Sequence, residues 1–142
     1  PAPGQIWSNG HWVDDVPAVL DLRYSEQMEA VNQACLQEIT GGFWSFALGD
    51  RYFYGTKVED QLNLTGLILR GLGGGYACRD QSGVTDFLDH THEQLMQVSN
   101  EFTEFKLQHL RKANDLKLAL AAARSASDLA LLNALSWESG PV

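Results

Sequence analysis

Glycine punctuation constrains this chain more than any other feature. Asn9-Gly10, Gly41-Gly42 and Gly71 with Gly73-Gly74-Gly75 divide its 142 residues into short segments of changing periodicity. Glycine enters left-handed backbone without steric cost, so it ends helices and closes tight hairpins. Asn9-Gly10, between Ile6-Trp7 and Trp12-Val13, predicts a two-residue hairpin, and residues 1–19 read as an N-terminal β-ribbon arm closed by Pro17. Met28, Val31, Cys35 and Ile39 recur at helical spacing, which predicts a helix from about Leu22 to Thr40 that Gly41-Gly42 ends. Phe43–Leu48 and Arg51–Tyr54 around Gly49-Asp50 predict a second hairpin.

Thr56-Lys57-Val58-Glu59 fits a capping box opening a helix to about Leu72, with Leu62, Leu69 and Leu64 or Ile68 as its core residues. Gly71 and Gly73–Gly75 end that helix. Tyr76–Arg79 and Val84–Phe87, around a turn at Asp80–Gly83, predict a third hairpin. A long helix follows from about Asp89, carrying Leu95, Val98, Phe102, Phe105, Ala113, Leu116 and Leu120 on one stripe. Ser125–Asp128 reads as a fresh cap for a short helix with Leu129, Leu132 and Leu135 on one face. The expected fold class is α+β. The two later hairpins form a small antiparallel sheet packed against helices, with a long C-terminal helix, a short terminal helix and the ribbon arm. Residues 20–142 read as one domain.

Composition narrows the function classes. Ten Lys+Arg face 18 Asp+Glu, a net charge of −8, which argues against nucleic acid as partner because a phosphate backbone needs a basic face. Residues 1–42 carry −5 of that charge, so the acidity belongs to the arm and first helix. No apolar run approaches the ~20 residues of a membrane helix, and no signal-peptide order is seen at the start. Two cysteines, Cys35 and Cys78, are too few for a disulfide scaffold and fit a reducing compartment. With no basic neighbour to generate thiolate, both read as small buried hydrophobes.

Candidate chemistry is sparse. Asp89, His90, His92 and Glu93 form the densest cluster of ligand-type side chains. Asp89 with His92 or Glu93 has the spacing that shares a helix face, so a small metal-binding or enzymatic module centred there is the alternative reading. The plainer reading is a helix N-terminus capped by Thr91 with Gln94, its acids favouring the dipole. The glycines at 71–75 follow a helix and lead into Tyr76 with no lysine, so they are no phosphate loop. Asn63 early in its helix suggests a buried hydrogen bond to a loop or sheet edge, and His109 reads as a satisfied core or interface histidine. No catalytic, cofactor or metal residues are assigned. The aromatic surplus says more: Trp7, Trp12, Trp44, Tyr52, Tyr54 and Trp137 exceed what a small sheet face buries. Exposed aromatics on an acidic surface mark protein contacts. Trp7, Asn9, Gly10, Trp12, Trp44, Tyr52 and Tyr54 are therefore the candidate partner-binding residues, with simple covering of the sheet as the competing role for Trp44, Tyr52 and Tyr54.

The order of elements, with particular residues, resembles a domain of uncharacterised function at the C-terminus of tailed-phage and prophage tail proteins. The residues that carry the resemblance are Arg23, Ile39-Thr40-Gly41-Gly42-Phe43, Leu48-Gly49 and Tyr52-Phe53-Tyr54. Asp60-Gln61-Leu62-Asn63-Leu64, Gly66, Gly83, His90-Thr91 with Gln94-Leu95, and the helical tail to Leu135 extend it over about residues 20–136. Trp7–Val13 is similar to a Trp-x-Asn-Gly-x-Trp segment that often precedes this domain. Members often have a longer region before that segment, whereas this chain starts at Pro1, as a fragment, a processed form or a short member would. The resemblance brings no catalytic residues. It implies a non-enzymatic tail-associated protein that binds a tail fibre or baseplate protein. Such a protein would act as an assembly factor (a chaperone of the fibre) or as a minor virion component. Its place would be the virion tail or the host cytoplasm during assembly. Self-association through the Leu95–Leu120 seam competes with packing of that seam onto the sheet, and the break at His109 favours packing.

Overall fold

A computed structural model describes residues 5–140, and the chain has an α+β fold. Strands β1 (Gln5–Ser8) and β2 (His11–Asp14) form the antiparallel ribbon. Asn9 and Gly10 take φ of 50° and 82°, the geometry whose twist matches paired strands. Trp7 lies opposite Trp12, their rings edge to face at 5.4 Å.

Helix α1 spans Val16–Ile39, so it starts well before Leu22. Asp15 Oδ1 accepts from the Ala18 amide at 3.3 Å. Pro17 sits inside the first turn, where its missing N–H removes no helical bond, and so it opens the helix rather than closing the ribbon. Strands β3 (Phe43–Ser45) and β4 (Tyr52–Tyr54) form a shorter hairpin than the aromatic run suggests. Helix α2 (Val58–Arg70) ends at Gly71, φ 75°, as expected. Its start differs: the Lys57 amide donates to Asp60 Oδ2 at 2.9 Å, so the acid three residues on is Asp60, not Glu59. Thr56 is buried instead, where its hydroxyl donates to the Ile39 carbonyl and accepts from the Gly42 amide, fastening the end of α1 to the loop after β4.

Strands β5 (Gly74–Arg79) and β6 (Thr85–His90) are longer than the sequence suggests. Gly74 pairs with His90 and Gly75 with Asp89, so two glycines expected to end the preceding helix instead begin a strand. The four strands lie in the order β3-β4-β5-β6, all antiparallel, as the two hairpins predicted. Helix α3 (His92–Ser125) and helix α4 (Leu129–Ala134) complete the chain. Thr91 and Gln94 form the expected capping box, at 2.8 and 3.1 Å, and Asp128 caps α4 through the Leu131 amide at 3.0 Å.

Two compact units divide inside α1 and α3: one comprises Leu36–His109, the other the described residues up to Cys35 with those from Leu110. In the second of these, Leu20, Val31, Cys35, Leu116, Leu120, Leu132, Leu135 and Trp137 are buried. The Gln27 amide donates to the Leu132 and Leu135 carbonyls at 3.0 and 2.9 Å, satisfying the end of α4. Arg124 pairs with Asp21 at 2.9 Å and lies over the Tyr24 ring. In the Leu36–His109 unit, the inner sheet face carries Phe43, Ser45, Tyr54, Tyr76, Cys78 and His90, packed with Leu64, Leu95, Val98 and Phe102. Phe43 meets Tyr54, Phe102 and Phe105 at 5.7–6.1 Å between ring centres. No helix among the described residues is long and apolar enough to cross a membrane.

Candidate functional site

Strand alternation sends every second side chain to the opposite sheet face. Trp44, Phe53, Arg79, Ala77 and Phe87 share the outer face, because Trp44 pairs with Phe53, Phe53 with Arg79, and Ala77 with Phe87. Phe87 is 72% exposed. The Arg51 guanidinium stacks 4.1 Å from the Trp44 ring centre and Arg79 stacks 4.4 Å from Phe53. Trp44 and Phe53 meet edge to face at 5.3 Å, completing a ladder in which two aromatic rings lie between two arginines. Such cation–ring contacts contribute about 0.5–1 kcal/mol each at exposed sites and hold the guanidiniums in place.

Beside this ladder a groove of about 770 Å³ runs between the outer face and α2. Gly75 and Ala77 leave its floor shallow, Phe53, Leu67 and Phe87 make it apolar, and Arg70, Arg79, Asn63 and Thr85 supply polar groups. Arg70 is oriented by donation to the Gly73 carbonyl at 2.8 Å. Gly42, φ 87°, lies below the ladder, where a Cβ would overlap the Phe53 ring and approach the Tyr54 carbonyl at 2.9 Å. Fixed guanidiniums on an aromatic, apolar floor suit recognition of a carboxylate-bearing, partly apolar surface.

The expected contact residues fall into separate groups. Trp7, Asn9, Gly10 and Trp12 are exposed on the ribbon. Trp44 stands on the outer sheet face and Tyr52 is half-buried on β4. Tyr54 is 1% exposed and belongs to the core, which corrects its assignment as a contact residue. Trp137 is buried as well, under the Lys112 ammonium 4.2 Å from its ring centre. The surplus of surface aromatics is smaller than composition implied.

The Asp89–Glu93 cluster is also corrected. Asp89 and His90 end β6 while His92 and Glu93 begin α3, so no common helix face exists. His90 Nδ1 lies 2.7 Å from the Leu88 carbonyl, which can only accept, so Nδ1 carries the proton. Nε2 then accepts from the Tyr54 hydroxyl at 2.7 Å, and both ring nitrogens are engaged. Burial lowers the His90 pKa against the opposing pull of the Leu88 carbonyl and Asp89. Burial pushes Tyr76 up to about 12 and raises Tyr54 further, while its hydroxyl keeps its proton. Cys35 and Cys78 are buried, and desolvation raises both thiols. No group of three His, Cys, Asp or Glu among the described residues is placed to hold a metal ion.

Asn63 is exposed and faces the groove instead of a buried partner. Its expected structural role falls to Gln61, which donates to the Thr56 carbonyl at 2.9 Å. Leu62 and Leu69, expected in the core, are 67% and 82% exposed, whereas Leu64 is buried. Sequence reasoning missed Phe53, Arg70, Arg79 and Phe87. Their signal was parity: once Tyr76 and Cys78 face inward, Ala77 and Arg79 must face outward.

Residues 23–134 match a protein family described as Domain of unknown function (DUF4376). No curated protein and no solved structure matches the chain.

Proposed function

The chain belongs to the DUF4376 family, and we propose that it is a non-enzymatic, tail-associated protein of a phage or prophage. It binds a tail fibre or baseplate protein, as an assembly factor or a minor virion component. The tail assignment rests on the sequence resemblance over about residues 20–136. The observation that carries the binding role is the outer sheet face with its groove: arginine-stacked aromatics and a strongly exposed Phe87, beside the wall formed by α2. Exposed apolar surface of this kind, rimmed by charge, marks a protein interface. The exposed Trp7–Trp12 ribbon supplies a second contact element.

The test is co-expression of the full chain with each fibre and baseplate protein of the same phage, followed by pull-down. A Phe53→Ala/Phe87→Ser variant and a Trp7→Ala/Trp12→Ala variant are run alongside. One tail protein should copurify with the unchanged chain and be lost from at least the sheet-face variant. Absence of the chain from both purified particles and every tail-protein pull-down would sink the reading.

A further inference from the structure

We infer that the solvent face of α2 is a self-association surface, on which a second copy of this chain docks its own α2 in antiparallel orientation. Val58, Leu62, Thr65 and Leu69 follow one another at spacings of four, three and four, the rhythm of a helix seam. A seam of this kind ordinarily faces a core, yet Val58 is 62% exposed and Leu62 and Leu69 more so. Leu72, just past the Gly71 cap, is 61% exposed at the same end of the helix. The helix meets its own unit through another side, where Leu64 is buried and Gln61 hydrogen-bonds the Thr56 carbonyl and Lys106.

Charge selects both the occupant and its direction. The first turn of α2 holds Glu59 and Asp60 and the last turn holds Arg70. Asp60 is engaged with the Lys57 amide, which leaves Glu59 as the available acid, while Arg70 donates one N–H to the Gly73 carbonyl and keeps the rest of its exposed guanidinium for a partner. Glu59 and Arg70 are eleven positions apart, so at 3.6 residues per turn they flank the seam on the same side. A two-fold axis through Thr65 sets Val58 near Leu72 of the second copy and Leu62 near its Leu69. Glu59 then lies beside the second copy's Arg70, and symmetry repeats the pair. Helix dipoles also oppose favourably in this arrangement. A parallel pairing would leave both acids at one end and both arginines at the other, with no Glu59 beside Arg70 of the second copy. At the middle, Gly66 has no atom within 4 Å of where a Cβ would stand, so two backbones can approach closely beside Thr65.

Few side chains take part, so the contact belongs at the small end of specific interfaces, with a dissociation constant on the order of 10 μM. The inference does not rest on the tail reading, but Leu62, Gly66 and Arg70 also line the groove beside the outer sheet face, so a docked second copy would partly cover it. Sedimentation velocity of the full chain between about 1 and 100 μM tests it, a span chosen to bracket that constant. The expected result is a concentration-dependent monomer–dimer equilibrium. Leu69→Glu should weaken it by at least about tenfold while circular dichroism stays unchanged, because that residue touches little of its own unit. Glu59→Arg and Arg70→Glu each turn attraction into repulsion and should each give monomer, while an equimolar mixture of the two should dimerise. A monomer at every concentration overturns the inference and leaves the stripe to a different protein. A dimer indifferent to Leu69→Glu, or to both charge reversals, overturns it equally.

Discussion

Tyr54→Phe tests the hydrogen-bond logic of the core with the loss of one oxygen atom. In the folded protein the Tyr54 hydroxyl donates to His90 Nε2 at 2.7 Å, and both residues are buried. Removing the hydroxyl leaves the imidazole lone pair without its donor, inside a wall of aromatic rings from Tyr54 and Tyr76. A buried acceptor so stranded costs about 1–3 kcal/mol. With a urea dependence of about 2 kcal/mol per molar, the unfolding midpoint should fall by roughly 0.5–1.5 M at pH 8. The pH dependence supplies a second, sharper readout. Burial holds the His90 pKa below its ordinary value of 6.5, so the unfolded chain takes up the proton first. Stability is therefore full above pH 6.5 and falls as pH drops from there towards the folded pKa. The hydroxyl favours the neutral ring, so its loss moves the folded pKa back towards 6.5. The variant then loses less on acidification, and the gap between the two proteins narrows at pH 5.5. Urea titrations followed by far-ultraviolet circular dichroism at both pH values measure this. A midpoint shift under about 0.2 M at pH 8, well below that span, or a gap that widens in acid, would refute the assignment of the proton to Nδ1.

Other perturbations have equally definite outcomes. Gln27→Ala strips donors from the Leu132 and Leu135 carbonyls, and should cost about 1–2 kcal/mol and speed amide exchange in α4. Gly42→Ala forces a Cβ against the Phe53 ring at positive φ, so thermal unfolding should show a loss of at least about 2 kcal/mol. Gly66→Ala, in a helix interior with open space around it, should raise stability by about 0.5–1 kcal/mol in the same assay. Thr56→Val breaks the bonds to Ile39 and Gly42 in a buried site, with an expected cost of about 1–3 kcal/mol by chemical denaturation.

Much of the scaffold was legible because single stripes left little choice. Val31, Cys35 and Ile39 on α1, and Leu95, Val98, Leu116 and Leu120 on α3, are buried as their spacing requires. Helix α2 was not legible, since Leu62, Leu64, Leu67, Ile68 and Leu69 put leucine or isoleucine on most sides of one short helix. Periodicity cannot choose among them; the inner sheet face chose Leu64. The Tyr52-Phe53-Tyr54 triplet posed the same problem for a strand, because aromatics on both faces hide which parity is inward. The end of β6 was misread as helix because Asp89, His92 and Glu93 have helical spacing in the sequence. Pairing of His90 with Gly74 and Asp89 with Gly75, residues distant along the chain, overrode that local pattern. The outer face became visible only with the register, since Phe53, Arg79 and Phe87 meet through strand pairing alone.

Strand β6 lies at the border of the sheet, with β5 on one side and, among the described residues, no strand on the other. Such a margin is a template on which identical chains can add without limit. Asp86 Oδ1 accepts from the Phe87 amide at 2.8 Å, and Asp86 and Asp89 both stand exposed on the strand. One carboxylate thus occupies a donor that a foreign strand would need, and the pair repels an identical edge. At high local concentration, that difference separates finite complexes from open-ended fibrils. Replacing both acids with alanine should leave the fold intact and turn concentrated solutions turbid on standing.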